Sequence, residues 1–299
     1  MTDSSTCPNR TDERGFTLVE LLVATGLTSI VLATVIGHVL IIRQGYFDDI
    51  IRTRINSNLR SAMDIISMNI RQAGENLAPA FPAVVLENGL ITPSDTLVLR
   101  RALIAEVLTI CVDASSGDTT LSVSSAAAGS SDCTPSNIAS VHASFEEYRT
   151  NNGEDIRAFV YDQLTGEGEF VDYTGGGISS GEYFLNISSL QNDFTARTSY
   201  VYLIEEYRFS QNPVEQTLVL TADGETDQPQ TVAFSVSQFE VSIQLEDGSV
   251  VDELTFASAT DWRDIQRISV TLVGQEARKS RVLEASITAE YFPRNVLSL

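Results

Sequence analysis

The spacing of apolar positions changes twice along the chain. Residues 16–42, FTLVELLVATGLTSIVLATVIGHVLII, are almost wholly apolar, with one formal charge, Glu20, and no proline. At 1.5 Å per residue such a helix reaches roughly 40 Å against a hydrocarbon core of about 30 Å, so the segment is expected to span a membrane. A cleaved secretory signal would have a shorter apolar region followed by an A-x-A-like site, and none lies just beyond Ile42. After the span the apolar residues become periodic. Ile51, Ile55, Leu59, Ala62, Ile66, Ile70, Ala73 and Leu77 recur at intervals of three and four, one face of a helix continuing from the apolar one. Arg52, Arg54, Asn58, Arg60, Asp64 and Arg71 occupy its other faces, and Gly74 and Pro79 supply stop signals. A lone membrane anchor has no use for an amphipathic second half, so that half must pack on something.

From about residue 77 the period shortens to that of strands. Residues 96–104, 106–113, 156–164, 198–209, 217–222, 230–246, 265–274 and 282–292 are rich in Val, Ile, Thr and aromatics. Glu246-Asp247-Gly248-Ser249 reads as a hairpin turn, and residues 114–131 and the run Gly175-Gly176-Gly177 read as loops. The fold class expected is α+β, with the amphipathic half-helix packed on an antiparallel sheet.

Charge and cysteines refine this picture. The 299 residues carry 19 basic and 40 acidic side chains, net −21, which argues against binding nucleic acid by nonspecific attraction. The excess is local: residues 16–76 balance five against five, whereas residues 77–299 hold 12 basic and 32 acidic residues. Acidity therefore does not oppose packing of the helix, and it lowers the expectation of direct DNA capture by the β-rich part. Arginines flank both sides of the span, so positive-inside counting does not orient it. Cys111 and Cys133, a pair beyond the span, suit an oxidising compartment.

The junction Arg14-Gly15-Phe16-Thr17-Leu18-Val19-Glu20-Leu21-Leu22-Val23-Ala24 resembles the class III signal of type IV pilins and type II secretion pseudopilins. The resemblance implies cleavage after Gly15 by prepilin peptidase and N-methylation of the amine freed on Phe16. It divides the chain into a leader at 1–15, a membrane-spanning and polymerising half-helix at 16–42, an amphipathic half-helix at 43–76 and an extracytoplasmic β-rich domain at 77–299. A carboxylate five residues into a membrane helix is costly without a partner. Glu20 of one subunit would neutralise the Phe16 amine of its neighbour and fix an axial register. Cys7 leaves with the leader, so a disulfide between Cys111 and Cys133 is expected in the mature chain, stabilising it by roughly 3 kcal/mol on the loop-entropy model.

Further stretches resemble PilW-type minor pilins. These are Ser61-Ala62-Met63-Asp64 and Asn69-Ile70-Arg71-Gln72-Ala73-Gly74 in the helix, and Ser94-Asp95-Thr96-Leu97-Val98-Leu99-Arg100 in the first core strand. Asp261-Trp262-Arg263-Asp264-Ile265, Val270-Thr271-Leu272 and Phe292-Pro293-Arg294-Asn295 lie near the C-terminus. The resemblance implies a minor pilin that works in pilus assembly, with other major and minor pilins, prepilin peptidase and the inner-membrane assembly platform as partners. The precursor would lie in the inner membrane and the assembled form on the pilus, and adhesion, motility and DNA uptake all stay open. The alternatives are a J-type pseudopilin of a type II secretion system, and a bitopic membrane-anchored binding domain that never polymerises.

Enzyme-like patterns fail. Gly177-Ile178-Ser179-Ser180-Gly181 fits a nucleophile-elbow string, but both histidines, His38 and His142, precede Ser179. Asp223, Glu225 and Asp227 alternate like the start of a calcium loop, yet Phe234 stands where its closing glutamate belongs. His142 reads as an isolated strand or loop residue, and Trp262, the single tryptophan, as a core anchor. No catalytic residue, cofactor or metal site is expected.

Overall fold

A computed structural model describes residues 15, 17–78, 81–89, 94–153, 156–225, 228–255, 262–278 and 281–296. The chain divides into two compact units, residues 1–51 and 52–299. Its elements are α1 (Leu18–Gln72), β1 (Val84–Glu87), β2 (Thr96–Ala102), β3 (Leu108–Thr109), β4 (Thr120–Ser122), α2 (Pro135–Asn152), β5 (Ile156–Asp162), β6 (Gly168–Ser179) and β7 (Glu182–Ile187). There follow β8 (Ser199–Tyr202), β9 (Ile204–Asn212), β10 (Thr217–Ala222), β11 (Gln230–Phe234), β12 (Val236–Leu245), β13 (Val250–Val251), β14 (Ile265–Arg278) and β15 (Arg281–Tyr291). The fold is α+β, a long N-terminal helix with antiparallel sheets.

In the first unit, the large apolar side chains of α1 from Leu18 to Ile42 are all exposed, as Leu22 at 64% and Ile42 at 68% illustrate. The few hydroxyls among them turn inward on the helix. Thr25, Thr28, Ser29 and Thr34 donate to the carbonyls of Leu22, Ala24, Thr25 and Val31 at 2.7–3.0 Å. A helix that satisfies its own hydroxyls and exposes mainly apolar surface is compatible with a bilayer. This helix is long and apolar enough to cross a membrane.

In the second unit, Ile55, Leu59, Ala62, Ile66 and Ile70 of α1 are at most 1% exposed, while Arg52, Arg54, Arg60, Asp64 and Arg71 are exposed. The buried stripe lies on the sheet ordered β13-β12-β14-β15. Gly274 of β14 sits against Ile55 and Leu59, the Tyr291 hydroxyl of β15 donates to the Met63 carbonyl (3.3 Å), and Arg54 pairs with Glu276.

The helix stops for two reasons. Gly74 has φ +81°, a left-handed conformation that L side chains rarely adopt, and a Cβ there would stand 2.7 Å from the Trp262 ring. Asn295 then donates from Nδ2 to the carbonyls of Gln72 (3.3 Å) and Ala73 (3.1 Å), satisfying acceptors that the helix leaves open. Trp262 is 5% exposed. Segments far apart in sequence, around residues 72–74, 262 and 295, thus close on one another at the end of α1.

A second sheet, ordered β1-β2-β9-β10-β11, joins a third, β3-β8-β5-β6-β7-β4, where β8 passes into β9 through buried Leu203. At their junction Phe81, Phe159, Tyr161 and Tyr202 form a tight aromatic cluster, with Phe81 and Tyr202 ring centroids 4.5 Å apart. Arg100 lies over the rings of Phe81 (5.9 Å) and Phe159 (5.1 Å), and its Nε donates to Glu206 at 2.7 Å.

The third sheet carries the main departures from the sequence reading. His142 is neither strand nor loop: it lies on α2, where Ile138, His142 and Phe145 form a narrow buried stripe. With only three buried residues, one of them a histidine, the stripe is a weak periodic signal. Residues 175–177 are not a loop but the middle of β6. Glycine is required there because α2 crosses closely: a Cβ on Gly176 would stand 2.5 Å from His142 Nε2 and 2.7 Å from the Phe184 carbonyl. Within 114–131, read as loop, lies β4. The strand expected over 106–113 shrinks to two residues, β3. The runs 198–209 and 230–246 each split in two, at Leu203 and at Ser235, whose φ is +59°.

Cys111 and Cys133 are joined by a disulfide and are 5% and 0% exposed. It ties the segment leading into α2 to the edge of the third sheet beyond β3. Gly248 closes the turn between β12 and β13, with the Leu245 N–H donating to the Ser249 carbonyl (2.9 Å) and Gln244 opposite Val250.

Candidate processing and assembly site

The N-terminal site begins with open backbone. Gly15 is exposed, and apart from its chain neighbours no described atom lies within 4 Å of where a Cβ would stand. Phe16 and residues 1–14 lie outside the described residues.

Thr17 and Glu20 start α1 as a reciprocal pair. The Glu20 N–H donates to Thr17 Oγ1 (3.3 Å), while the Thr17 N–H (3.1 Å) and hydroxyl (3.0 Å) donate to Glu20 Oε2. This is a capping box: the spacing Thr-x-x-Glu satisfies amides at the helix start that have no carbonyl partner. The carboxylate also sits at the positive end of the helix dipole. Glu20 therefore has a local role that the reading from the junction missed, although Thr17-Leu18-Val19-Glu20 spells it out. Its carboxylate holds the peptide N–H of Thr17, the residue after the one whose amine cleavage would free.

One face of the exposed helix carries small residues. Ala24, Thr25, Thr28 and Ser29 leave a shallow groove between Leu21 and Leu32. Small side chains at i and i+4 let helix backbones approach closely within a membrane. The pairs Ala24/Thr28 and Thr25/Ser29 are legible in the sequence, and they were passed over there as part of a uniform apolar run.

The remaining chemistry-bearing residues are accounted for structurally. Ser179 ends β6, and a turn at Ser180 (φ +54°) leads into β7, a hairpin and not a strand-to-helix elbow. Asp223 Oδ1 accepts the Glu206 N–H at 2.7 Å, and burial pushes its carboxyl up to about 6. The acidic alternation is thus partly a turn carboxylate tied to backbone, and Asp227 lies outside the described residues. The Tyr173 hydroxyl donates to Glu146 of α2, and burial followed by that carboxylate pushes its phenol well above the usual range. Among the described residues no group of three or more His, Cys, Asp or Glu side chains could hold a metal ion.

Residues 10–36 match the model of the prokaryotic N-terminal methylation motif, which places the motif across the capping box and the first half of the apolar helix. No curated protein matches the chain. Among solved structures, a type IV-like pilin from Thermus thermophilus aligns with 11% identity over 81% of this chain and 97% of that one, with a TM-score of 0.38. At that score and identity the likeness carries no weight. The chain carries a prepilin-type N-terminal methylation motif at the start of a helix suited to membrane anchoring.

Proposed function

We propose that this chain is a minor pilin of a type IV pilus, of the PilW type, acting in pilus assembly. The observation that carries the reading is the methylation motif at 10–36, laid over a helix whose large apolar side chains from Leu18 to Ile42 are all exposed. Such a surface needs either lipid or other helices, and a pilin exchanges the first for the second. Prepilin peptidase cuts after Gly15 and methylates Phe16. The anchored subunit leaves the inner membrane through the assembly platform and joins major and minor pilins through α1. Burial of apolar helix surface drives the packing, with the groove between Leu21 and Leu32 admitting a neighbour's side chains. Glu20 pairs with the Phe16 amine of an adjacent subunit and sets the register. The work is mechanical, and no residue of the chain acts as a catalyst.

A J-type pseudopilin of a type II secretion system would share the signal and the helix. The deletion phenotype separates the two: loss of surface pili with normal exoprotein release is expected here, and trapped exoproteins with normal pili would assign the chain to secretion.

A further inference from the structure

Residues 103–203 leave and re-enter the rest of the second unit at one point. Ala102 and Ile204 face each other as the last pair of the β2–β9 ladder, and the Leu103 N–H donates to the Leu203 carbonyl at 2.8 Å. Between these crossings the third sheet and α2 enclose a core of their own, from Leu108 to Leu203, stapled by the Cys111–Cys133 disulfide. Two chain crossings at one rung act as a hinge, so the angle between the second and third sheets depends on contacts made elsewhere.

One such contact is the aromatic cluster around Phe81. The other is made by Asp223 and Gly224, which follow β10 with φ +47° and +73°. A Cβ on Gly224 would stand 3.0 Å from the Phe170 ring of β6 and 3.7 Å from Arg157 Nη2 of β5, so this corner of the second sheet is packed onto the third. Asp223 is tied to β9: its N–H donates to the Glu206 carbonyl (2.8 Å), and its Oδ1 accepts the Glu206 N–H (2.7 Å). The carboxylate is thereby held near those of Glu205 and Glu206, while the arginines of the junction are engaged by others. Arg100 pairs with Glu206, Arg101 with Glu205, and Arg157 with Asp172. Tyr207 of β9 and Tyr148 of α2 lie within electrostatic reach of Asp223, and exposed Glu225 follows on the same corner. Burial pushes the Asp223 carboxyl up to about 6, helped by Glu205 and Glu206 and opposed by the Glu206 N–H and Arg157.

We propose that the corner at Asp223 and Gly224 is an acid-tightened clasp: protonation of Asp223 fastens the third sheet to the second, and ionisation loosens it. The geometry supplies both halves of the device, a hinge at Leu103 and Leu203 and a buried carboxylate with two like charges beside it at the far contact. When Asp223 is neutral, closing the clasp buries no added charge; when it is ionised, closing must desolvate a carboxylate against Glu205 and Glu206. The closed form therefore holds the proton more tightly than an open or unfolded one. The stabilisation is complete below about pH 4 and is lost as pH rises through about 6.

Asp223→Asn mimics the protonated state. Asparagine accepts the same Glu206 N–H and tolerates a positive φ, so the variant keeps the fold. Hydrogen exchange of the full chain in detergent is compared between wild type and variant at one pH at a time, which cancels the intrinsic pH dependence of exchange. At about pH 7.5, peptides covering Glu206 to Gly224 and Arg157 to Phe170 are expected to exchange about tenfold more slowly in Asp223→Asn than in wild type. At about pH 5 the two proteins are expected to agree, because the wild type is then protonated as well. Equal exchange at both pH values overturns the proposal, as does faster exchange of the variant at the higher one. Equal protection of the variant at both pH values also overturns it, because the effect would not then follow the proton. Protection confined to the corner itself, without the peptide from the third sheet, leaves no clasp between the sheets and overturns it too.

Discussion

Replacing Glu20 with valine is expected to leave cleavage after Gly15 largely intact and to remove the chain from sheared filament fractions. Two losses coincide in that variant. The first is local: the Thr17 N–H and hydroxyl lose the carboxylate that accepts them, and a lost helix cap costs typically about 1 kcal/mol. The second is the proposed pairing with a neighbour's Phe16 amine, for which water-excluded surroundings make charge matching far stronger than at an exposed site. Glu20→Gln separates them. Glutamine serves a capping box as well as glutamate does, so it keeps the helix start but cannot neutralise an amine. If charge pairing sets the register, Glu20→Gln is excluded from filaments almost as fully as Glu20→Val. Normal amounts of Glu20→Gln in the sheared fraction, with Glu20→Val absent, would reduce Glu20 to a helix cap. Immunoblots of membrane and sheared fractions read both variants at once.

The largest stability effect is expected from Glu206→Ala. The Arg100 and Glu206 side chains are 12% and 5% exposed, and the guanidinium is further held over Phe81 and Phe159, with Nη1 donating to the Pro82 carbonyl at 3.1 Å. Removing the carboxylate leaves a buried cation at the junction of two sheets, at a cost of about 3–5 kcal/mol. For a domain of this size that corresponds to a fall in melting temperature of roughly 6–20 °C. The neighbouring pair Arg101 and Glu205 serves as the comparison. Its side chains are 27% and 26% exposed, and Glu205→Ala is expected to cost no more than about 1 kcal/mol. Thermal unfolding followed by circular dichroism distinguishes the two. Replacing both partners, Arg100→Met with Glu206→Leu, should recover much of the loss, because the penalty comes from stranding one charge. A Glu206→Ala variant as stable as Glu205→Ala would contradict a desolvated pair.

What was legible in the sequence was what repeats. The apolar run at 16–42 and the stripe from Ile55 to Ile70 mark α1 because each position obeys the same period as its neighbours. A strand such as β14 is visible because it is long and its buried positions alternate. α2 escaped because its buried stripe is three residues wide and one of them is His142, which hydropathy counts as polar. The run Gly175-Gly176-Gly177 was misread for a related reason: glycine marks a turn in the sequence alone, but here it makes room for the α2 side chains that cross β6. Convergence of Gly74, Trp262 and Asn295 at the end of α1 depends on contacts more than 180 residues apart, which no local pattern encodes. At the N-terminal site, the junction around Gly15 was legible as a motif. The capping role of Glu20 is present in the same letters, as the spacing Thr-x-x-Glu, but it depends on Thr17 standing just before the first helical residue.

The central claim concerns the covalent state of one amine, and mass spectrometry of the N-terminus of protein purified from the native cell tests it most directly. The account predicts a terminal peptide that begins at Phe16 and carries a single N-methyl group. A peptide retaining Met1 or any of residues 2–15 would contradict it.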